Sequence, residues 1–143
     1  MALSLGPIGQ IALNVTNVDA SEAFFGGKLG LRKLFRFGDL TFFDCAGVRL
    51  LLERTDDATK LAGSPIYFRV ADIALARREL EAKGVAFVDR IHLIAPMADH
   101  DLWMTFFTDP DGHVLALMME APKGYQPATA DAGADSVATP DRG

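Results

Sequence analysis

The sequence is poor in the features that would place it in several large classes. It has one cysteine in 143 residues, Cys45, which leaves no intrachain disulfide and no CxxC-type metal site. Lysine and arginine number 14 against 19 aspartates and glutamates, a formal charge of -5, and the basic residues nowhere cluster. That balance offers no surface to a polyanion, so no nucleic-acid partner is expected. No apolar run approaches the ~20 residues of a membrane span, so no membrane partner is expected. The opening Met-Ala-Leu-Ser lacks a basic region and leads straight into a strand pattern, so no secretory leader and a cytoplasmic location are expected. What the chain does have is apolar content: half of its residues are hydrophobic, enough at this length for one real core.

It also repeats itself once. Residues 8–31 read IGQIALNVTNVDASEAFFGGKLGL and residues 64–87 read SPIYFRVADIALARRELEAKGVAF. Each copy is an alternating strand, then Asn17 or Asp72 at a turn, then a helix closing near a glycine. Each is followed by strand-like segments that end in a Gly-led strand, GVRLLLE at 47–53 and GHVLALMME at 112–120. Self-similarity of this kind predicts an α+β fold of two tandem βαβββ modules, whose curved mixed sheet surrounds a cleft. Module one spans 7–54 and module two 64–120, both within a single domain 1–120. Residues 55–63 are a polar linker, and 121–143, with three prolines and little to bury, are expected to be a flexible tail.

Periodicity fills in the elements. Over residues 8–15, Gln10, Ala12 and Asn14 alternate with Ile11, Leu13 and Val15, so the apolar set should meet the helices and the mixed set the cleft. Helix 1 should start after Asn17 or Asp19, with Glu22 three residues beyond Asp19 as in a capping box. Gly26 and Gly27 weaken its last turn by roughly 1 kcal/mol each against alanine. Helix 2, about 73–83, puts Ile73, Ala76 and Leu80 on one stripe and Arg77, Arg78, Glu81 and Lys83 towards water. LRKLFRF, LTFFDCA and GVRLLLE read as antiparallel strands, as do FVDRIHLI, DLWMTFF and HVLALMM. In the TDPDG turn at 108–112, His113 is expected to bond its own backbone.

The segment FFTDPDGHVLALM at 106–118, with the two strand–turn–helix openings in register, resembles the vicinal oxygen chelate superfamily. That superfamily includes glyoxalase I, methylmalonyl-CoA epimerase, extradiol dioxygenases and bleomycin-binding proteins. The resemblance covers about 8–120 and implies the glyoxalase/bleomycin resistance-like fold. In its metal-dependent members each unit gives one ligand from its first strand, typically His, and one from its last, typically Glu. Carried over, these fall on Gln10 and Leu51 in unit one and on Pro65 and Ala116 in unit two. Leu51, Pro65 and Ala116 have no donor atom and Gln10 offers one neutral oxygen, so no metal and no cofactor are expected. A slip of one residue does not rescue the site.

Gln10, Leu51, Pro65 and Ala116 then become expected ligand-binding residues, with Tyr67 and Trp103. Tyr67 shares a strand face with Pro65 and carries a hydroxyl that needs a partner, while Glu53 and Arg69 continue those faces. For acid–base chemistry the candidates are His92 and His100 with Asp101, Asp99 lying beside them; a carboxylate next to an imidazole orients the ring and tunes it. HLIAPMADHDLWMTFFTDPDG is similar to a stretch in uncharacterised superfamily members, which groups Gln10, His92, His100, Asp101 and Trp103.

Three functional readings compete. The first is a homodimeric, bleomycin-resistance-like protein that binds a small organic ligand in the cleft without metal. The second is a metal-independent lyase, isomerase or epimerase using the His–carboxylate pair. The third is a metal-dependent enzyme with a displaced site built from His92, His100, Asp99 and Asp101. A non-catalytic interaction domain is a fourth, and the sequence leaves open whether there is any catalysis.

Overall fold

The alternation over residues 8–15 is realised in the first strand, β1 (Gln10–Val15), where Leu13 and Val15 are buried and Gln10 and Ala12 are exposed. The computed structural model describes residues 3–128. The chain divides into two units, Met1–Gly63 and Ser64–Gly143.

In the first unit β1 leads to α1 (Val18–Glu22), a π-helical segment (Ala23–Lys28), β2 (Arg32–Phe37), β3 (Leu40–Cys45) and β4 (Val48–Arg54). The sheet order is β1-β4-β3-β2, with β1 parallel to β4 and the other pairs antiparallel. One sheet face is the core. Leu13, Val15, Phe43, Leu50 and Leu52 are buried there, with Val18, Phe24 and Phe25 supplied by the helical segments. Each such side chain contributes about 1.5–3 kcal/mol on leaving water. Asn17, not Asp19, is the N-cap, its side chain accepting from Ala20 N at 3.0 Å. The expected capping box is therefore absent. Asp19 falls in the first turn and reaches Arg36 at 2.6 Å, while Glu22 is held by Lys33 and Arg36. The two glycines sit within the π-helical segment rather than at a frayed end.

The second unit repeats the order: β5 (Ile66–Arg69), α2 (Ile73–Ala82), β6 (His92–Pro96), β7 (Asp101–Thr108) and β8 (Val114–Ala121), arranged β5-β8-β7-β6. Asp72 caps α2 through Leu75 N. Ile73 is fully buried, with Ala76 and Leu80 half-buried. Arg77 does not face water. One turn on from Ile73, it donates to Asp89 O at 2.7 Å and Thr105 Oγ1 at 2.9 Å and lies over the Phe87 ring at 4.6 Å. Its stem is thus covered while its charge is satisfied.

FVDRIHLI is not one strand. The Asp89 carboxylate accepts from Phe106 N at 2.8 Å and from Thr105 Oγ1 at 3.1 Å, so a side chain takes the ladder position on the β7 edge and pairing resumes only at His92. In the 108–112 turn His113 bonds a side chain rather than its own backbone: Asp109 Oδ2 lies 2.7 Å from His113 Nδ1, and Asp109 Oδ1 accepts from Asp111 N and His113 N. The tail expected from residue 121 begins as structure. Ala121 ends β8, and Lys123, Gly124 and Tyr125 form a strap anchored on β7. Residues 129–143 of that expected tail lie outside the described residues. Among the described residues no helix is long and apolar enough to cross a membrane.

Candidate functional site

Because side chains alternate along a strand, each sheet has one face on its own helix and one turned away from it. The faces turned away hold most of the expected site residues. In the first unit, register places Gln10 beside Arg49 and Ala12 beside Leu51 on the parallel β1–β4 pair, and Phe42 beside Leu51 on β3. Arg49 Nε donates to Gln10 Oε1 at 2.9 Å, its guanidinium carbon is 5.4 Å from the Phe42 centroid, and Phe42 stacks on Phe35 at 4.5 Å. Leu51 is buried next to this row.

In the second unit Ala116 is fully buried, flanked in register by Tyr67 on β5 and Phe106 on β7. Tyr67 meets the Phe106 ring edge-on at 5.9 Å, and the His92 ring lies nearly parallel to Phe106 with 6.4 Å between centroids. Pro65 is exposed just before β5. His92 Nδ1 is 2.8 Å from Arg90 O. A carbonyl only accepts, so this partner places a proton on Nδ1, and in the neutral ring Nε2 then holds the lone pair. Asp89 Oδ2 lies 3.7 Å from the same nitrogen and is buried without a hydrogen-bond partner.

The remaining expected residues lie elsewhere. Asp101 and Trp103 have the opposite parity on β7 and share the helix-side face with Thr105 and Phe107, all four buried. Asp101 is bound not to His100 but to the strap, accepting from Lys123 Nζ at 2.7 Å and Gly124 N at 3.1 Å. Those two donors, Lys123 first, hold its carboxyl below the usual range. Trp103 meets Tyr125 edge-on at 6.0 Å, and its indole N–H is buried without a partner. His100 pairs with Asp99 at 2.8 Å in the β6–β7 turn, and this hydrogen bond lowers the Asp99 pKa. Thus His92, Tyr67 and Ala116 share a face, whereas His100, Asp101 and Trp103 do not join them.

The donor set does not fit a divalent cation at the carried-over positions. Leu51, Pro65 and Ala116 offer no donor atom, and the Gln10 oxygen is occupied by Arg49. Among the described residues, no three His, Cys, Asp or Glu side chains converge so as to hold a metal ion, the displaced set of His92, His100, Asp99 and Asp101 included. Two participants escaped the sequence reading. Arg49 lies within GVRLLLE and Asp89 within FVDRIHLI, both read only as strands. A cross-strand pairing of Arg49 with Gln10 would have flagged the first, but that register is not visible in one sequence.

Comparison with known proteins agrees with this architecture. A model of the Glyoxalase/Bleomycin resistance protein/Dioxygenase superfamily matches residues 7–117. No curated protein matches the chain. Among solved structures, an integron cassette protein from the mobile metagenome of V. cholerae is similar with a TM-score of 0.70 at 14% identity, covering 83% of this chain and 98% of its own. A glyoxalase/bleomycin resistance protein/dioxygenase from Nocardioides is similar with a TM-score of 0.66 at 19% identity, covering 90% and 91%. Lactoylglutathione lyase from Agrobacterium tumefaciens gives 0.66 at 21% identity, covering 86% and 100%. At these identities the likeness speaks for the fold alone.

Proposed function

The chain belongs to the Glyoxalase/Bleomycin resistance protein/Dioxygenase superfamily, and from that premise we propose that it binds a small organic ligand without a divalent metal. One observation carries the reading. At both last-strand positions where the resemblance assigns a carboxylate ligand, the side chain is apolar and flanked by aromatic rings: Leu51 beside Phe42, and Ala116 between Tyr67 and Phe106. An apolar, aromatic surface with a few oriented polar groups is what a ligand site requires. On the first unit Gln10 and Arg49 are such groups, and on the second His92 is. The protein acts as a cytoplasmic homodimer in this reading, which native mass spectrometry and fractionation would check.

Metal analysis provides the decisive experiment. Protein purified without chelator should carry no stoichiometric divalent ion, and chelator should leave its melting temperature unchanged. About one Zn, Mn, Ni or Fe per chain, lost on Gln10→Ala, would overturn the reading. Loss only on His92→Ala or His100→Ala would instead support a displaced metal site.

A second reading is favoured by the His92 tautomer. With Nδ1–H donated to Arg90 O, Nε2 is the ring nitrogen beside Phe106 through which a metal-free lyase or isomerase would move a proton. Turnover that disappears in His92→Gln while ligand binding persists would select this reading over binding alone.

A further inference from the structure

Among the described residues, Arg32 pairs with Asp44, Arg36 with Asp19 and Glu22, Arg54 with Asp56, Arg69 with Glu120 and Arg77 with Glu81. Arg49 has instead a neutral amide, Gln10, which takes its Nε hydrogen at 2.9 Å. Asp44 is its cross-strand neighbour but is occupied, accepting from Arg32 at 3.3 Å and from Gly47 N at 3.2 Å. Among the described residues the two terminal nitrogens of Arg49 meet no acceptor. The guanidinium is held over the Phe42 ring, and that ring is stacked on Phe35 with an interplanar angle of 22°.

We infer that this face of the first unit binds a planar carboxylate, with the carboxyl group on Arg49 and the conjugated or aromatic part of the ligand on the Phe42–Phe35 stack. The inference rests on the metal-free binding reading and adds the ligand's chemical class. A guanidinium fork matches the two oxygens of a carboxylate and forms paired, charge-assisted hydrogen bonds. Gln10 orients the fork by holding its third edge, and the Gln10 amide N–H groups remain as further donors towards the same anion. Aromatic planes attract flat ligands and tolerate a cation above them, so ring and charge recognition are contiguous here. The counterpart positions in the second unit, Pro65 and Val114, hold neither amide nor charge, so they do not repeat this arrangement.

The test compares benzoate, its neutral isostere benzamide, acetate and inorganic phosphate by titration calorimetry, with ¹⁵N NMR of the arginine Nε–H groups. Benzoate should bind at least about tenfold more tightly than benzamide, a difference of the size one charge-assisted pair supplies, and should shift the Arg49 signal. Arg49→Gln should erase that difference, and Arg49→Lys should restore only part of it because the charge returns without the fork. Phe42→Leu should weaken benzoate but not acetate. Equal affinity for benzoate and benzamide would overturn the inference, as would benzoate binding unchanged in Arg49→Gln, phosphate binding as tightly as benzoate, or no benzoate binding at all. If benzamide binds as tightly as benzoate in the native chain and in every variant, the organic-ligand reading survives while the carboxylate inference falls. Stoichiometric metal in the purified protein would mark failure of the reading itself.

Discussion

The two units share strand order, pairing sense and helix caps, yet the faces they turn away from their helices are chemically unlike. The first carries Gln10, Arg49 and two stacked phenylalanines; the second carries Tyr67, Phe106 and His92 around a buried alanine. Their helix-side faces, by contrast, match: Phe43 in the first and Phe107 in the second are both fully buried at the sheet centre. A duplicated scaffold therefore retains what its backbone and core require and diverges where nothing of its own covers the sheet. Arg49 stands on one unit and His92 on the other.

The matched cores give the largest expected effect. Phe43→Ala and Phe107→Ala should each cost about 3–5 kcal/mol in urea denaturation, since each leaves a cavity beside a rigid neighbour. A loss under about 1 kcal/mol at either site would break the equivalence of the two helix-side faces, because only a collapsible or partly solvated site relaxes that well. Next comes the position between Tyr67 and Phe106. Ala116→Glu buries a carboxylate with no cation beside it and should cost about 3 kcal/mol or, through protonation, shift its own pKa sharply upward. Val114→Glu, on the same strand and face but 42% exposed, should stay within about 0.5 kcal/mol. Equal penalties would mean that burial at Ala116 does not govern this face.

Much of this architecture was legible because it follows from period and punctuation. Alternation at Gln10–Val15, Asn17 and Asp72 as caps, and the Gly-led last strands are local signals, and the fold follows from their repetition. The site was less legible, for three physical reasons. Parity decides which face a strand residue joins, so Trp103 and Asp101 could be grouped with His92 until Phe107 fixed the helix side of β7. A side chain can replace a backbone partner, as Asp89 does at Phe106 N, and no hydrophobic pattern records that substitution. Finally, a polar tail of low hydrophobicity can still dock when two or three residues meet buried partners, as Lys123, Gly124 and Tyr125 do.

That strap has no counterpart described in the first unit, and it predicts intermediate effects. Tyr125→Ala should cost about 1–2 kcal/mol through lost apolar and edge-on contact, and should shift the emission of Trp103, the only tryptophan, to the red. Unchanged emission would show that Tyr125 does not shield the indole. The acid limb of stability should follow. Asp101 is lowered by the Lys123 and Gly124 donors and Glu22 by Lys33 and then Arg36, so both favour folding as carboxylates. Their contribution is complete above the unfolded carboxylate pKa of about 4 and is lost as pH falls through the lower folded values. Melting temperature should therefore decline less steeply below that pH in Asp101→Asn and in Glu22→Gln than in the native chain. A native-like slope in one variant would assign the acid sensitivity to the other unit.

The smallest effect separates the helical segments. α2 is a regular ten-residue helix, whereas the first unit's helix widens into π-type turns through Gly26 and Gly27. A Cβ at Gly26 would stand 3.1 Å from Phe43 Cε1, while one at Gly27 meets nothing within 4 Å. Neither glycine has the positive φ that would strain an alanine. Gly27→Ala should thus stabilise by about 0.5–1 kcal/mol, by narrowing the unfolded ensemble. Gly26→Ala should forfeit that gain or lose stability, because Phe43 is fully buried and has little room to move. If both substitutions stabilise equally, the close approach of helix to sheet is not what keeps Gly26 small, and the matched-core comparison loses one of its contacts. If Gly26→Ala alone destabilises, the widened turn is explained as the conformation that lets this backbone reach the Phe43 ring.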